Sequence, residues 1–454
     1  MFAAVGVVCE TVRLMPSTES PRRDSPERDS PRRDSPLRIA WLVYRGNPHV
    51  GGQGVYTRFL ARELESLGHE VTVFSGQPYP ELDDPTRLVE VPGLDLYGRK
   101  HPLWPPAPWK IKSTIDLREA AVFSGSGFPE PYAFSLRVRR LLRDRRADFD
   151  IVHDNQCLGS GLLQMMDEDG WPVLCTLHHP ITVDRDLDLA HATNAYRRFT
   201  LKRWYAFLDM QMRVARAMPR VVTVSENSKR DIVEQMGVDP ERLHIVPVGV
   251  DPELFRPMPD IARVPGRLMT TTSSDMPMKG LSVLLEALAK VRTERDDAEL
   301  VIIGQPKKNS RIPPIIERLG LEGAVRFVHG VTTERIVELY AEAEVAVVPS
   351  LYEGFSLPAI EAMACGVPLV ATTGGAVPEV VGTHEETGLL VPPGDADALA
   401  NMLSRALREP ELRARIGAAG RARALDNFTW RRTALETVEH YRVLLEQRSS
   451  TGTA

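Results

Sequence analysis

Arg38-Ile-Ala-Trp-Leu-Val-Tyr44, then the loop Gly51-Gly52-Gln53-Gly54, then the helically patterned run Val55–Leu67 is a strand, a glycine turn and a helix in succession. Val71–Phe74 reads as the next strand. Ile151–His153, Val173–Leu177, Val221–Val224 and His244–Val246 read as further ones, with helical stretches between several of them. Strands alternating with helices build a mostly parallel sheet covered on both faces. The pattern then repeats. Leu268–Thr272, Glu299–Ile303, Val325–His329, Val345–Pro349, Leu369–Thr372 and Leu389–Val391 read as strands, separated by helices such as Leu281–Thr293 and Ala396–Arg408. The Pro- and Asp-rich stretch Pro252–Pro265 is where a linker would sit. The expected fold class is therefore α/β, with two Rossmann-like domains whose strand ends face each other across a cleft, where ligands bind.

The 454 residues suffice for two such domains, and 43% hydrophobic with 26% charged content is that of a globular protein. A net charge of −5 argues against a nucleic-acid partner, which calls for a basic excess. Cys9, Cys157, Cys175 and Cys365 form no C-x-x-C pair, which suits a reducing, cytoplasmic setting. No apolar run is long enough to span a bilayer. The short patch Phe2–Val8 lacks a basic flank and reads as an extended start rather than a secretory signal. Residues 20–36 repeat Ser-Pro-Arg-Arg-Asp with small variations, a composition unable to bury a core. The expected organisation is a disordered extension over 1–36, a first Rossmann-like domain over 37–251 and a second over 252–427. A crossover helix over 428–447 and a disordered tail over 448–454 complete it. That last helix carries Leu435, Val438, Tyr441 and Leu444 or Leu445 at the spacing of one buried stripe.

The residues richest in chemistry are Glu353-Gly354-Phe355-Ser356-Leu357-Pro358-Ala359-Ile360-Glu361. They follow a predicted strand and open a helix, with Ser356 placed as N-cap and Pro358 in the first turn. The amides of Gly354, Phe355, Ser356 and Leu357 would then face outward at the positive helix end, a site suited to a diphosphate. Glu361, one or two turns on, could accept both hydroxyls of a ribose, and Glu353 could reach a sugar beyond the phosphates.

This element resembles the E-x7-E motif of the family-4 retaining glycosyltransferases of GT-B fold, a group that includes phosphatidylinositol mannosyltransferases and mycothiol-pathway glycosyltransferases. The resemblance runs from Arg38 to about Tyr441. It implies a retaining transfer from a nucleoside diphosphate sugar, UDP- or GDP-linked, to an acceptor hydroxyl, as in glycolipid, polysaccharide or cell-envelope glycan synthesis. It also implies that the first domain binds the acceptor and the second the nucleotide sugar, and that the last helix crosses back to the first domain. No cofactor and no metal are expected.

The resemblance assigns further residues. Lys279-Gly280 matches the family's Lys-Gly element, in which the lysine neutralises the departing diphosphate. The family's companion arginine is replaced by Ser273 and Ser274, with Lys307 and Lys308 as candidate substitutes. Gly51 and Gly52 match the glycine loop that closes over the donor, and Val331, after Gly330, the segment whose backbone reads the base. Thr176-Leu177-His178-His179-Pro180 ends a strand at the cleft and matches a Thr-x-His pattern, with His178 as the active-site histidine beside Glu353. His153, Asp154 and Asn155 end another strand there, as acceptor contacts or as a strand cap. Gly249-Val250-Asp251 marks the crossover between the halves.

Asp184, Asp186 and Asp188 form Asp-x-Asp triplets, but away from the strand–loop setting of a metal-dependent transferase, and read as solvated charges. Residues 195–217 mix aromatic and basic side chains. They read as a domain helix with a solvated basic face, or as a peripheral contact with an anionic membrane at its inner face. A non-catalytic nucleotide-sugar binder and a nucleotide-sugar epimerase of the same layout are the alternatives in function.

Overall fold

The computed structural model describes residues 35–47, 52–98, 106–190, 192, 194–272, 276–306 and 310–451. The expectations for the repeat extension, Gly51, Ser273, Ser274, Lys307, Lys308 and residues 452–454 lie outside them.

Two parallel sheets organise the chain. The first contains β1 (Arg38–Val43), β2 (Glu70–Ser75), β3 (Leu88–Glu90), β4 (Ile151–Asn155), β5 (Val173–Thr176), β6 (Val221–Thr223) and β7 (Leu243–Ile245), in the order β3-β2-β1-β4-β5-β6-β7. The second contains β8 (Arg267–Thr271), β9 (Glu299–Ile303), β10 (Val325–Val328), β11 (Val345–Val348), β12 (Leu369–Thr372) and β13 (Leu389–Val391), in the order β10-β9-β8-β11-β12-β13. Strand order reverses between β1 and β4 in one sheet and between β8 and β11 in the other. At such a switch point consecutive loops diverge to opposite faces and leave a crevice at the strand ends. β3 is the one strand that the sequence patterning leaves out; its three residues sit half-exposed at the sheet edge.

The two halves are joined twice, side by side. Val250 N–H donates to the Phe428 carbonyl at 2.8 Å, and Val250 bridges Thr429 in parallel. A Cβ on Gly249 would lie 2.1 Å from the Trp430 nitrogen, so only glycine lets the two crossings run in contact. The helix Trp430–Thr451 then packs on the first sheet, and it continues past Gln447 into the expected tail. Its buried face is Trp430, Ala434, Val438, Tyr441 and Leu444, packed with Trp41, Leu60, Leu64 and Val222. Each such large apolar side chain contributes about 1.5–3 kcal/mol on burial. Leu435, expected in the stripe, is 47% exposed; the buried row runs through its neighbour Ala434 instead.

Candidate active site

Lys279 follows β8 and Glu353 follows β11, so the two flank the switch point of the second sheet. Lys279 ends the 3-10 turn Pro277–Lys279, and Gly280 caps it at φ 66°. A Cβ there would stand 1.9 Å from the Pro349 carbonyl oxygen, so the Lys-Gly pair is held in place by the backbone beyond β11. Lys279 Nζ reaches both oxygens of Glu353, at 2.8 and 2.9 Å, and Ser350 Oγ donates to Glu353 Oε1 at 2.6 Å. Below this turn run Gly374 and Gly375, after β12. A Cβ on Gly375 would be 2.3 Å from the Glu353 carbonyl oxygen, which accepts from Ala376 N–H at 2.8 Å.

The helix Leu357–Ala364 starts where expected, with Ser356 at the N-cap. The Ser356 hydroxyl nevertheless makes no capping bond, and its buried Oγ has no partner among the described residues. The amides of Gly354, Phe355, Ser356 and Leu357 likewise make no hydrogen bond among the described residues. A helix start with open amides and an open hydroxyl is a ready anion site. Phe355 rests edge-on against Phe428 at 5.7 Å, which pins the turn to the crossover.

Glu361 is half-buried, beneath the helix start. Burial pushes its carboxyl up to about 7, against the opposing pull of the Tyr340 hydroxyl, which donates to Oε2 at 3.4 Å. Val331 sits half-buried in the loop after β10, next to Gly330 at φ 65°.

On the first sheet, Gly52 (φ 73°) is the N-cap of the helix Gln53–Ser66, and its carbonyl accepts from Tyr56 N–H at 2.8 Å. His178 follows β5 and stands edge-on to Tyr56, ring centroids 4.6 Å apart. Its Nε2 lies 2.8 Å from Asn155 Oδ1. Burial, then neighbouring His179, depress His178 to about 3, so the ring is neutral at physiological pH. His179 instead turns to Asp184, 3.2 Å away.

His153 and Asp154 are not presented to the cleft. His153 is fully buried on Trp41, with Nδ1 2.6 Å from the Tyr441 hydroxyl and Nε2 2.7 Å from Thr176 Oγ1. Both ring nitrogens are therefore occupied, by the crossover helix and by β5. Asp154 is also fully buried; Oδ2 accepts from Leu158 N–H at 3.0 Å, as a cap on the turn after β4. The Asp-x-Asp carboxylates engage protein groups: Asp184 meets His179, Asp186 meets Arg185 and Asp188 accepts from the Tyr205 hydroxyl at 2.7 Å.

The two halves meet at Gly354. Its carbonyl accepts from Ser225 Oγ at 2.6 Å and from Ser228 Oγ at 2.9 Å, and a Cβ would press on His179 at 3.1 Å. Glu379, after Gly375, accepts from the backbone N–H groups of Glu226 at 2.7 Å and Asn227 at 2.8 Å. The second half thus caps a helix of the first, Glu226–Met236, and Tyr352 adds bonds to Asp231 and Asn227. None of Ser225, Ser228 and Glu379 was singled out by sequence reading, and Asn155 only as the end of the strand that carries His153 and Asp154. The one signal for them was position: each ends a strand or opens a helix at the cleft.

Comparison with known proteins places this geometry. Residues 50–254 match the family described as Glycosyltransferase Family 4, and residues 266–423 match Glycosyl transferases group 1. The MMP alpha-(1->4)-mannosyltransferase of Mycolicibacterium hassiacum is 50% identical over 406 residues, 89% of this chain and 98% of that protein. The D-inositol 3-phosphate glycosyltransferase of Kineococcus radiotolerans is 28% identical, covering 90% of this chain and 94% of its own. Among solved structures, sucrose-phosphate synthase from Thermosynechococcus elongatus superposes with TM-score 0.68 at 23% identity, over 90% of this chain and all of the other (100%). Anabaena HepE in complex with UDP-glucose gives 0.64 at 18% identity, over 91% and 100%. These last two likenesses carry the two-domain fold.

Proposed function

The chain belongs to the glycosyltransferases, family 4 in its first half and group 1 in its second, and from that premise we propose that it transfers a mannosyl group. The acceptor in this reading is a hydroxyl of another sugar, and the new bond is α-linked. The carrying observation is the 50% identity to an α-(1->4)-mannosyltransferase across 98% of that protein. The site's geometry supports it.

In this reading the open amides of Gly354 to Leu357 and the Ser356 hydroxyl receive the diphosphate, and Glu361 receives the ribose. Val331 and its neighbours meet the base, and the loop at Gly52 closes from the other side. Lys279 exchanges Glu353 for the diphosphate, and Glu353 is released to the hydroxyls of the sugar. The bond from the anomeric carbon to the phosphate oxygen breaks; the acceptor oxygen bonds to the same face, and its proton leaves with the nucleoside diphosphate. Lys279 and the helix start stabilise the charge that develops on the leaving group. No metal ion is required, so transfer persists in EDTA.

A cytoplasmic setting goes with a nucleotide-sugar donor. No described helix is long and apolar enough to cross a membrane. Peripheral contact with an anionic membrane is supported by Tyr196 (77% exposed) and Phe199 (61%), which share the helix Ala195–Trp204 with Arg197 and Lys202. Trp204 and Phe207, by contrast, pack against the first core. Sedimentation with anionic vesicles, lost in Phe199→Asp, tests this.

The main test is a donor screen with GDP-mannose, GDP-glucose, UDP-glucose and UDP-galactose against mannoside acceptors, scored by product linkage. Transfer from GDP-mannose to a mannoside hydroxyl, with an α-linkage, is the expected result. Transfer of glucose or galactose in preference would overturn the mannosyl assignment.

A further inference from the structure

The Asn155–His178 contact has a consequence that follows from the chemistry of the amide. Asn155 Nδ2 lies 3.3 Å from the Gln53 carbonyl oxygen and 3.2 Å from Thr57 Oγ1. A peptide carbonyl only accepts, so the group facing Gln53 is the NH2, and the group facing His178 is the amide oxygen. That oxygen also only accepts. His178 Nε2, 2.8 Å away, must therefore carry the ring proton. In a neutral ring this leaves the lone pair on Nδ1, which has no hydrogen-bond partner among the described residues.

The surroundings hold this arrangement firmly. Thr57 Oγ1 also accepts from Trp41 Nε1 at 3.2 Å, which fixes the far side of the Asn155 amide. Next in sequence, Gln156 grips the backbone of the same histidine pair: its Oε1 accepts from His178 N–H at 2.8 Å, and its Nε2 donates to the His179 carbonyl at 2.8 Å. Gln156 and Leu158 both adopt positive φ, 54° and 50°, and strained backbone of this kind persists where a loop is held by its contacts.

We propose that Asn155 is a positioning residue that fixes His178 as its Nε2–H tautomer, so that Nδ1 faces the cleft as the acceptor of a hydrogen bond from a hydroxyl of the transferred sugar. This rests on the glycosyltransferase reading of His178 and adds the residue that sets its polarity. A donor at that position would favour a carbonyl or phosphate oxygen; an acceptor selects a hydroxyl.

The test is nitrogen NMR of ring-labelled histidine in the full chain, with His178→Ala assigning the signal, alongside kinetics with GDP-mannose. Wild type is expected to show a protonated Nε2 and a bare Nδ1. Asn155→Ala is expected to show mixed tautomers, with kcat lower by about tenfold and the donor KM changed less than twofold. Should Asn155→Ala not fold, Asn155→Ser, too short to reach Nε2, takes the same measurements. A protonated Nδ1 in wild type, or an unmixed tautomer with wild-type kcat in the variant, would overturn the proposal. Wild-type turnover in His178→Ala would instead overturn the reading of His178 on which it rests, while leaving the tautomer result to stand or fall separately.

Discussion

Lys279 Nζ sits 2.8 and 2.9 Å from the two carboxylate oxygens of Glu353, so the cation proposed for the diphosphate is bound to the anion proposed for the sugar. The carboxylate competes with the phosphates for one ammonium group. Glu353→Gln removes that competitor and leaves the helix start intact. Nucleoside diphosphate is expected to bind the variant as tightly as wild type or several-fold tighter, while transfer falls by about a hundredfold. Lys279→Ala is expected to weaken the nucleotide by about tenfold or more, since charge-assisted hydrogen bonds contribute about 1.5–3 kcal/mol. Isothermal titration with GDP and UDP measures both, and weaker binding in Glu353→Gln would contradict the competition.

Glu361 has the opposite problem, a carboxylate with too little water. Burial raises it from 4.5 to about 7, so between those pH values the folded protein holds a proton that the unfolded chain has released. The associated stability is full below pH 4.5 and is lost as pH rises through about 7. Glu361→Gln carries no such penalty. It is expected to melt higher than wild type at pH 8, with the gap closing toward pH 4.5, and to bind nucleotide more weakly. Affinity of wild type for nucleotide should rise between pH 6 and 8, because only the ionised carboxylate accepts both ribose hydroxyls, and this slope should vanish in the variant. Melting curves and titrations over that range check the two signs.

The joint between the halves is the third target. Glu379 caps the helix Glu226–Met236 of the first half with two backbone hydrogen bonds, while the proposed diphosphate cradle belongs, like Glu379, to the second half and touches the first at Gly354. Glu379→Ala is expected to leave nucleotide affinity within threefold of wild type and to lower kcat by about tenfold, as an incompletely closed site would. Steady-state kinetics beside titration separates the two. Equal losses in affinity and kcat would point to damage within the second half alone.

What could be read before any coordinates was governed by local pattern. Runs such as Glu299–Ile303 and Leu369–Thr372 are strands over the predicted residues, because parallel strands buried on both faces are continuous apolar blocks. The nine residues of the Glu-to-Glu motif (Glu353–Glu361) are contiguous, so their turn and helix start were legible too. What local pattern does not show depends on distant partners. His153 looks like a cleft residue, since it lies within β4, close to the strand's C-terminal end, but Tyr441, 288 positions later, covers it. All five residues of β4 are buried, so alternation gives no cue to which face carries His153. Ser225 and Glu379 are ordinary cap and helix residues until the halves are brought together. Ser356 was placed as a cap from residue type alone, and only geometry shows its hydroxyl turned elsewhere.

The buried bond between His153 and Tyr441 fastens the crossover helix to the first sheet, and it is the last target. Tyr441 is fully buried, and its hydroxyl, 2.6 Å from Nδ1, is the group that satisfies that side of the ring. Removing the hydroxyl in Tyr441→Phe keeps the aromatic packing and strands one polar nitrogen, which costs about 1–3 kcal/mol. Burial already depresses His153 to about 3, so the ring does not escape the penalty by charging at neutral pH. The expected result is a lower denaturation midpoint with an unchanged slope, and nucleotide affinity equal to wild type. Denaturant titration followed by GDP binding measures both. A midpoint equal to wild type would mean that the nitrogen finds another partner and that the crossover helix is held by apolar packing alone.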